Sequence, residues 1–376
     1  MTSKGEETAE ISGRASPKGT RTFAEGARRA QKVSSDHFRS FGDLELSSLG
    51  MGTYLGEMDE STDRAVEEAV VASLASGAVN VIDTAINYRH QRAERCVGRG
   101  LARAIREGKV QRDQVFISTK NGYLAPDSES GLSPRVYVQE ELVGTGALSP
   151  SDIVGGSHAM SVPYLRDQLA RSLNNLGLAT VDLLYLHNAP EAQLVEVGRK
   201  VFFDRLRSAF EFFESARRKD RLVSYGLATW DALRKSRNEE GYLSLEEAVG
   251  VAREVAGSGH GFRFVQFPFN TLMPEAFQLR NQLVSGERVS LLEAAHRLGV
   301  GTFSSVPLMQ GALAQGSARR HGLTSAQAAL QFARSTPNHL APLAGQKGLA
   351  HVRENLDVAK VPRLSDPEFL RLIDAV

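Results

Sequence analysis

Eight short apolar runs recur from Leu44 onward, and most lack the alternation of a strand with one wet face: LSSLGMG, VNVID, VFISTK, VDLLYLH, VSYGLAT, FRFVQFPF, VGTFSS and HLAPLAG. Unbroken runs of β-branched and apolar residues suit strands buried on both sides, as parallel sheets require. Between them lie helical patterns at Ser61 to Ala75, Ala93 to Arg106, Tyr164 to Leu176, Phe202 to Arg218, Leu245 to Ala256, Ser290 to Leu298, Ser325 to Arg334 and Leu349 to Val358. Several open on a cap residue followed by acids, as in STDRAVEEAV and SLEEAVGVA, and several stop at Gly77, Gly108, Gly177 or Gly257. Strand and helix therefore alternate, which predicts repeated βα units. Eight of each predict an α/β fold, a (β/α)8 TIM barrel. The pair HFRSF and LELSS around Gly42-Asp43 predicts a hairpin closing the barrel floor.

Two segments fall outside this repeat. Residues 1–40 form a polar, mixed-charge extension, expected to be flexible with one short helix near Thr22 to Lys32, because the segment is too poor in apolar residues to offset its ordering entropy. Its glutamates and lack of an apolar core argue against a targeting leader. Residues 41–376 then form the barrel. The connection between Lys120 and the helix near Tyr164 is longer than a compact domain usually allows. Rich in Gly, Ser and Pro, the stretch from Gly122 to Ser157 is expected to be a lid that governs substrate choice. His158, just beyond it, is read as a surface histidine or a substrate contact.

Charge and cysteine usage narrow the classes of function. The 376 residues carry 45 basic and 44 acidic side chains, mixed along the chain, with a net charge of +1. No extended field favours nucleic acid or a membrane surface. No apolar run approaches the roughly 20 residues of a membrane span. The lone Cys96 has no internal partner for a disulfide, which points to a reducing compartment and a cytoplasmic protein. Oligomeric state is not encoded in these patterns.

Chemistry enters at the strand ends. VNVIDTAINY places Asp83 at the end of its run with Tyr88 just beyond, VFISTK ends on Lys120, and VDLLYLH ends on His187. In a parallel barrel these ends converge on one rim, where the reacting groups of such enzymes sit. An acid, a phenol, an ammonium and an imidazole would then share one cleft. Reducing a carbonyl by hydride leaves an alkoxide that needs a proton, and a phenol with an ordinary pKa of about 10 is a poor donor near neutrality. Lys120 beside Tyr88 would lower that value, Asp83 would hold Lys120 charged, and His187 would position the substrate oxygen. Singly, each residue has an ordinary structural role as cap, ion pair, packed aromatic or core histidine; together at one rim they describe a reaction. The glycines of LGMGTYLGE do not match the GxGxxG that opens a dinucleotide-binding helix.

The stretches LGMGTY, NVIDTAINY, the glutamate of AERCVGRGL, STK, LYLHN, YGLATW, VQFPFN, PLMQG and HVRENL, in this order, resemble the aldo-keto reductase superfamily from about Leu44 to Val361. The resemblance implies a catalytic tetrad of Asp83, Tyr88, Lys120 and His187. It implies a small-molecule carbonyl substrate and a nicotinamide dinucleotide, NADP(H) ahead of NAD(H), with no metal. The matching cofactor positions are Thr53, Tyr54, Asp83, Thr229, Gln266, Leu308, Gly345, Lys347, Glu354 and Asn355, with Gln266 bonding the nicotinamide amide. Some positions depart from the pattern. Ala228-Thr229 replaces a common Ser-Asn, Ser305 stands where an aromatic often stacks on the nicotinamide, and Gly345 and His351 replace basic clamps of the 2′-phosphate, leaving Lys347 as a point charge without the fork of arginine. Two other readings stay open: a non-catalytic nucleotide-binding subunit of the same fold, and a Schiff-base aldolase built on Lys120.

Overall fold

Eight parallel strands close into a barrel in the computed structural model, which describes residues 10–315 and 322–374. A hairpin of β1 (Phe38–Phe41) and β2 (Leu44–Ser47) precedes it. The first six staves are β3 (Gly50–Gly52), β4 (Val81–Asp83), β5 (Phe116–Asn121), β6 (Val181–His187), β7 (Leu222–Ala228) and β8 (Phe262–Pro268). A small hairpin, β9 (Gln282–Val284) and β10 (Glu287–Val289), intervenes before the last two staves, β11 (Gly301–Ser305) and β12 (Ala341–Gly345). Neighbours follow chain order around the ring, and β12 pairs with β3 to close it. All eight predicted strands are present. The helices match their expected ranges to within a few residues, except that the one expected from Phe202 runs Val195–Arg218 with a break at Gly198, whose φ of 77° belongs to no helix.

The absence of alternation in the strands has its cause in burial on both sides. Val81, Phe116, Leu183, Tyr185, Phe264 and Phe303 fill the barrel interior, while the opposite faces of the strands join the large apolar layer beneath the helices. The β1–β2 hairpin caps the floor as expected, with the Phe41 ring 4.7 Å from that of Phe264. A plugged floor leaves the opposite rim as the end at which the barrel interior can open to a ligand.

The N-terminal extension differs from a bare tail over its described part. Ile11 bridges to Leu178, and the Ala15 amide donates to Asp182 Oδ1 at 2.6 Å. The helix runs Pro17–Arg29 rather than Thr22 to Lys32, since Ser16 caps it by accepting from the Gly19 amide at 2.8 Å and Pro17 occupies its first turn. Thr20, Phe23, Ala24 and Ala27 are buried. This one-sided stripe recovers apolar burial that the segment's mean composition conceals. Residues 1–9 lie outside the described residues.

The long connection after β5 is more closely packed than its composition suggests. Tyr137, Leu142 and Leu148 are buried in a small core of their own with Ala159 and Tyr164, the last on the helix Val162–Leu176. Arg95 clasps Asp127 through two hydrogen bonds of 2.8 and 2.6 Å, and Gln91 and Arg171 both donate to the Tyr137 hydroxyl. Of residues 122–157, only Tyr123 lines the open cleft. Gly, Ser and Pro here make turns around a packed nucleus rather than hinges. Leu142→Ala is accordingly expected to lower the unfolding free energy by about 2–5 kcal/mol in denaturant titration, as for a core leucine. A cost within about 0.5 kcal/mol, the range of surface changes, would restore the picture of a loose flap.

Candidate active site

Strand register brings three of the four candidate residues to one rim. Asp83 lies opposite Ser118 across β4 and β5, Lys120 opposite Tyr185 across β5 and β6, and His187 opposite Ala228, which faces Gln266. Tyr88 reaches the same rim from the turn after β4. The Lys120 ammonium is fully enclosed and donates to Asp83 Oδ2, to the Thr84 carbonyl at 2.9 Å and to the Tyr88 hydroxyl at 3.1 Å. All three of its protons are thereby spent. The other Asp83 oxygen accepts from Ser118 Oγ at 2.7 Å and from Gln266 Nε2 at 2.9 Å.

These contacts set the charge states. Burial by itself would neutralise Lys120, but Asp83 and Tyr88 together hold its pKa above the ordinary lysine value, so the ammonium persists. Tyr88 departs from the expectation: burial raises its pKa, and the attraction of Lys120 only partly opposes that. The phenol therefore keeps its proton throughout the neutral range. His187 is pushed well below the ordinary histidine value, first by burial and then by Lys120, so it is neutral. Its Nδ1 lies 3.2 Å from Asn87 Oδ1; with that oxygen as acceptor, Nδ1 bears the proton and Nε2 is left as an acceptor.

A cleft of about 820 Å³ opens over this group. Thr53, Tyr54, Asp83, Thr229, Gln266, Leu308, Gly345, Lys347, Glu354 and Asn355 all line it, alongside Tyr88 and His187. Lys120 sits just beneath, behind Asp83 and Tyr88. Thr53 is tied to the Asp83 carbonyl at 3.1 Å, and the exposed Tyr54 ring meets Tyr88 edge-on at 5.0 Å. Glu354 accepts from Thr324 Oγ1 at 2.7 Å. Gln266 Nε2 gives one proton to Asp83, which leaves its second amide proton and its oxygen for a ligand.

The structure adds residues that the sequence did not single out. Asn87, Tyr123, Asn188 and Trp230 face the cleft near Tyr88 and His187, and Gln310 faces it beyond β11. Asn87 immediately precedes Tyr88, so adjacency was the one available signal. Trp230 is 44% exposed, and its loop is pinned from below: Glu191 Oε1 accepts from the amides of Trp230, Asp231 and Ala232 at 2.8, 2.9 and 2.9 Å. His158, expected at the surface, is fully buried. Its Nε2 lies 2.9 Å from the His187 carbonyl oxygen and its Nδ1 2.9 Å from Gln193 Nε2, bracing the end of β6 from behind. That approach requires Gly122, where a Cβ would fall 2.5 Å from the imidazole.

The aldo/keto reductase family model matches residues 48–320, which includes every barrel stave from β3 to β11. The chain belongs to the aldo/keto reductase family. Solved structures of similar fold include an aldo/keto reductase from Klebsiella pneumoniae in complex with NADP and acetate, 19% identical, covering 90% of this chain and 94% of that one with a TM-score of 0.58. Another is the aldo-keto reductase of Bacillus halodurans in its holo form, 17% identical over 90% and 95% of the two chains, TM-score 0.60. The glycerol dehydrogenase of Gluconobacter oxydans is 15% identical over 91% and 95%, TM-score 0.60. No curated protein sequence matches the chain. At these identities the structures speak for the barrel alone; the family rests on the match over residues 48–320, and the chemistry on the side chains of this chain. Among its described residues no helix is long and apolar enough to cross a membrane.

Proposed function

We propose that the protein reduces an aldehyde or ketone to an alcohol at the expense of a reduced nicotinamide dinucleotide, with Tyr88 giving the proton. The observation that carries this reading is the enclosed relay from Asp83 through Lys120 to Tyr88. A phenol with a protonated amine at 3.1 Å loses its proton to a nearby alkoxide and leaves a phenolate facing a cation. His187 Nε2, as an acceptor, orients the hydroxyl of the alcohol in the same cleft. The ammonium held by Asp83 also argues against the aldolase reading, which needs a free amine as nucleophile.

The cleft suits a dinucleotide. Thr229 Oγ1, Gln346 Nε2 and Asn355 Nδ2 are buried among its lining without a partner among the described residues, so the wall offers a hydroxyl and two amide donors to a polar ligand. When bound, the reduced nicotinamide would supply the hydride. Gln266, Thr229, Leu308, Gly345, Gln346, Lys347, Glu354 and Asn355, which line the cleft, are the residues that would hold such a group. NADP(H) is the favoured form, since Lys347 sets one cation on the cleft wall and the Klebsiella protein of similar fold is described with NADP. A buried, unpaired Cys96 fits a reducing compartment, and we infer a cytoplasmic protein. The founding test is oxidation of NADPH, followed by its absorbance, against a panel of aldehydes, ketones and quinones; no oxidation with any of them would leave the non-catalytic reading in its place.

Lys347 carries a second expectation. It is exposed and, among the described residues, is the only lysine or arginine lining the cleft, so Lys347→Ala is expected to cut the preference for NADPH over NADH by about tenfold, the weight of one exposed charge-assisted contact. Titration by quenching of protein fluorescence measures both affinities. An unchanged preference would move recognition of the 2′-phosphate to His351 or Gln346.

A further inference from the structure

We propose that the barrel floor carries a second ligand site, a basic cleft that binds a small oxyanion through Arg39. This cleft of about 480 Å³ lies on the face opposite the reductase site, between β1, the residues leading into β11 and those leading into β12. Arg39, Arg363, His296 and Asn338 line it together with Thr302 and His339.

The charge balance there is uneven. Arg39 donates through Nη2 to the carbonyls of Arg334 and Thr336 at 2.8 and 3.1 Å, and its Nε is buried with no partner among the described residues. Among the described residues no carboxylate lies within ion-pair distance of Arg39. Arg334, buried behind it, is satisfied by neutral groups: Ser48 Oγ, Gln331 Oε1 and the carbonyls of Val358 and Val361. Arg363 shares the nearest acid, Asp36, at 3.6 Å. Three guanidinium groups thus surround one carboxylate, and that carboxylate is already taken up by Arg363 and by Ser34 Oγ at 2.7 Å. Glu293, at the outer edge, is held by Arg297 and Asn338, and Asp366 acts on Arg39 only through space.

A partly buried guanidinium without a counter-ion is a costly arrangement. Burial and the neighbouring arginines push the Arg39 pKa down to about 9, the direction expected of a cation that lacks its anion. Its planar fork matches the paired oxygens of a carboxylate or phosphate, and with Nη2 engaged the two Nη1 protons and the Nε–H are the donors left over. His339 is not part of the recognition, since both ring nitrogens are bonded, to Thr302 Oγ1 and Ser304 Oγ. The shared ligand chemistry is therefore an oxyanion with at least two acceptor oxygens, small enough to sit within the cleft.

The test is calorimetric titration of inorganic phosphate, and separately of citrate, into the full chain carrying Lys347→Ala, which weakens anion binding in the reductase cleft. Saturable binding is expected, with Arg39→Gln raising Kd by at least about tenfold while carbonyl reduction by the otherwise native protein is unchanged. Tighter phosphate binding would point to a phosphoryl ligand and tighter citrate binding to a polycarboxylate, both within the proposal. No binding by either anion, or binding indifferent to Arg39→Gln, would overturn it. Should Arg39→Gln fail to fold, Arg39→Lys keeps the charge but loses the fork and is expected to weaken binding as well. A selenate soak gives a direct location: an anomalous peak beside Arg39 supports the site, and peaks confined to the reductase cleft refute it.

Discussion

Tyr88→Phe is expected to lower kcat by about 10²–10⁴ while leaving dinucleotide affinity within a few-fold of the original. The substitution removes one oxygen and no packing. The ring keeps its edge-on contacts with Tyr54 at 5.0 Å and His187 at 5.7 Å, and Lys120 keeps Asp83 and the Thr84 carbonyl. What disappears is the cleft proton backed by the buried Lys120 ammonium. Rapid-mixing kinetics on the best substrate, with cofactor binding measured in parallel, separate the two quantities. Turnover close to the parent's would assign the proton to another group, and a lost cofactor affinity would make Tyr88 a structural residue.

Lys120→Met is expected to be harsher, because it damages both chemistry and stability. Without the ammonium nothing opposes the burial that already raises the Tyr88 pKa, so phenolate formation becomes harder and kcat falls in the same direction as in Tyr88→Phe. The double variant should be no slower than the slower single one, since both changes interrupt one relay. Asp83 meanwhile is left as a buried carboxylate with Ser118 and Gln266 but no cation, a loss of about 3–5 kcal/mol. Thermal and denaturant unfolding will show it. The companion Asp83→Asn, Lys120→Met removes both charges and is expected to recover much of the stability and none of the activity. Full stability in Lys120→Met alone would mean that Asp83 takes up a proton at little cost, and that the pair is not the strong coupling described above.

The fold was legible because its signal is local. A strand buried on both faces must be continuously apolar, and a helix over it must be amphipathic, so each of the eight units announced itself without reference to the others. The tetrad was legible for a related reason: parallel strands share one direction, so residues at their C-terminal ends meet whatever the loops do. Asp83, Lys120 and His187 could be placed on one rim before any distance was known.

Where the reading failed, the deciding contacts were remote in sequence. The connection after β5 has the composition of a hinge, yet Tyr137 is fixed by Gln91 and Arg171 and is buried with Tyr164, partners that only folding assembles. His158 read as a surface residue until the chain returned it beneath β6. The helix at Pro17–Arg29 looked too polar to stay because mean composition hides a one-sided stripe, and the wall that stripe rests against includes β2.

The sequence by itself determined the barrel, its closing hairpin and the four groups at its rim, since each depends on periodicity or on strand direction, and both are properties of neighbouring residues. Only the tertiary structure decided the charge states. Whether Tyr88 keeps its proton, Lys120 its charge and His187 its neutrality depends on how completely each is removed from water and on which partner stands within about 3 Å. Dehydration and pairing are sums over residues far apart in the chain, and no stretch of sequence contains them.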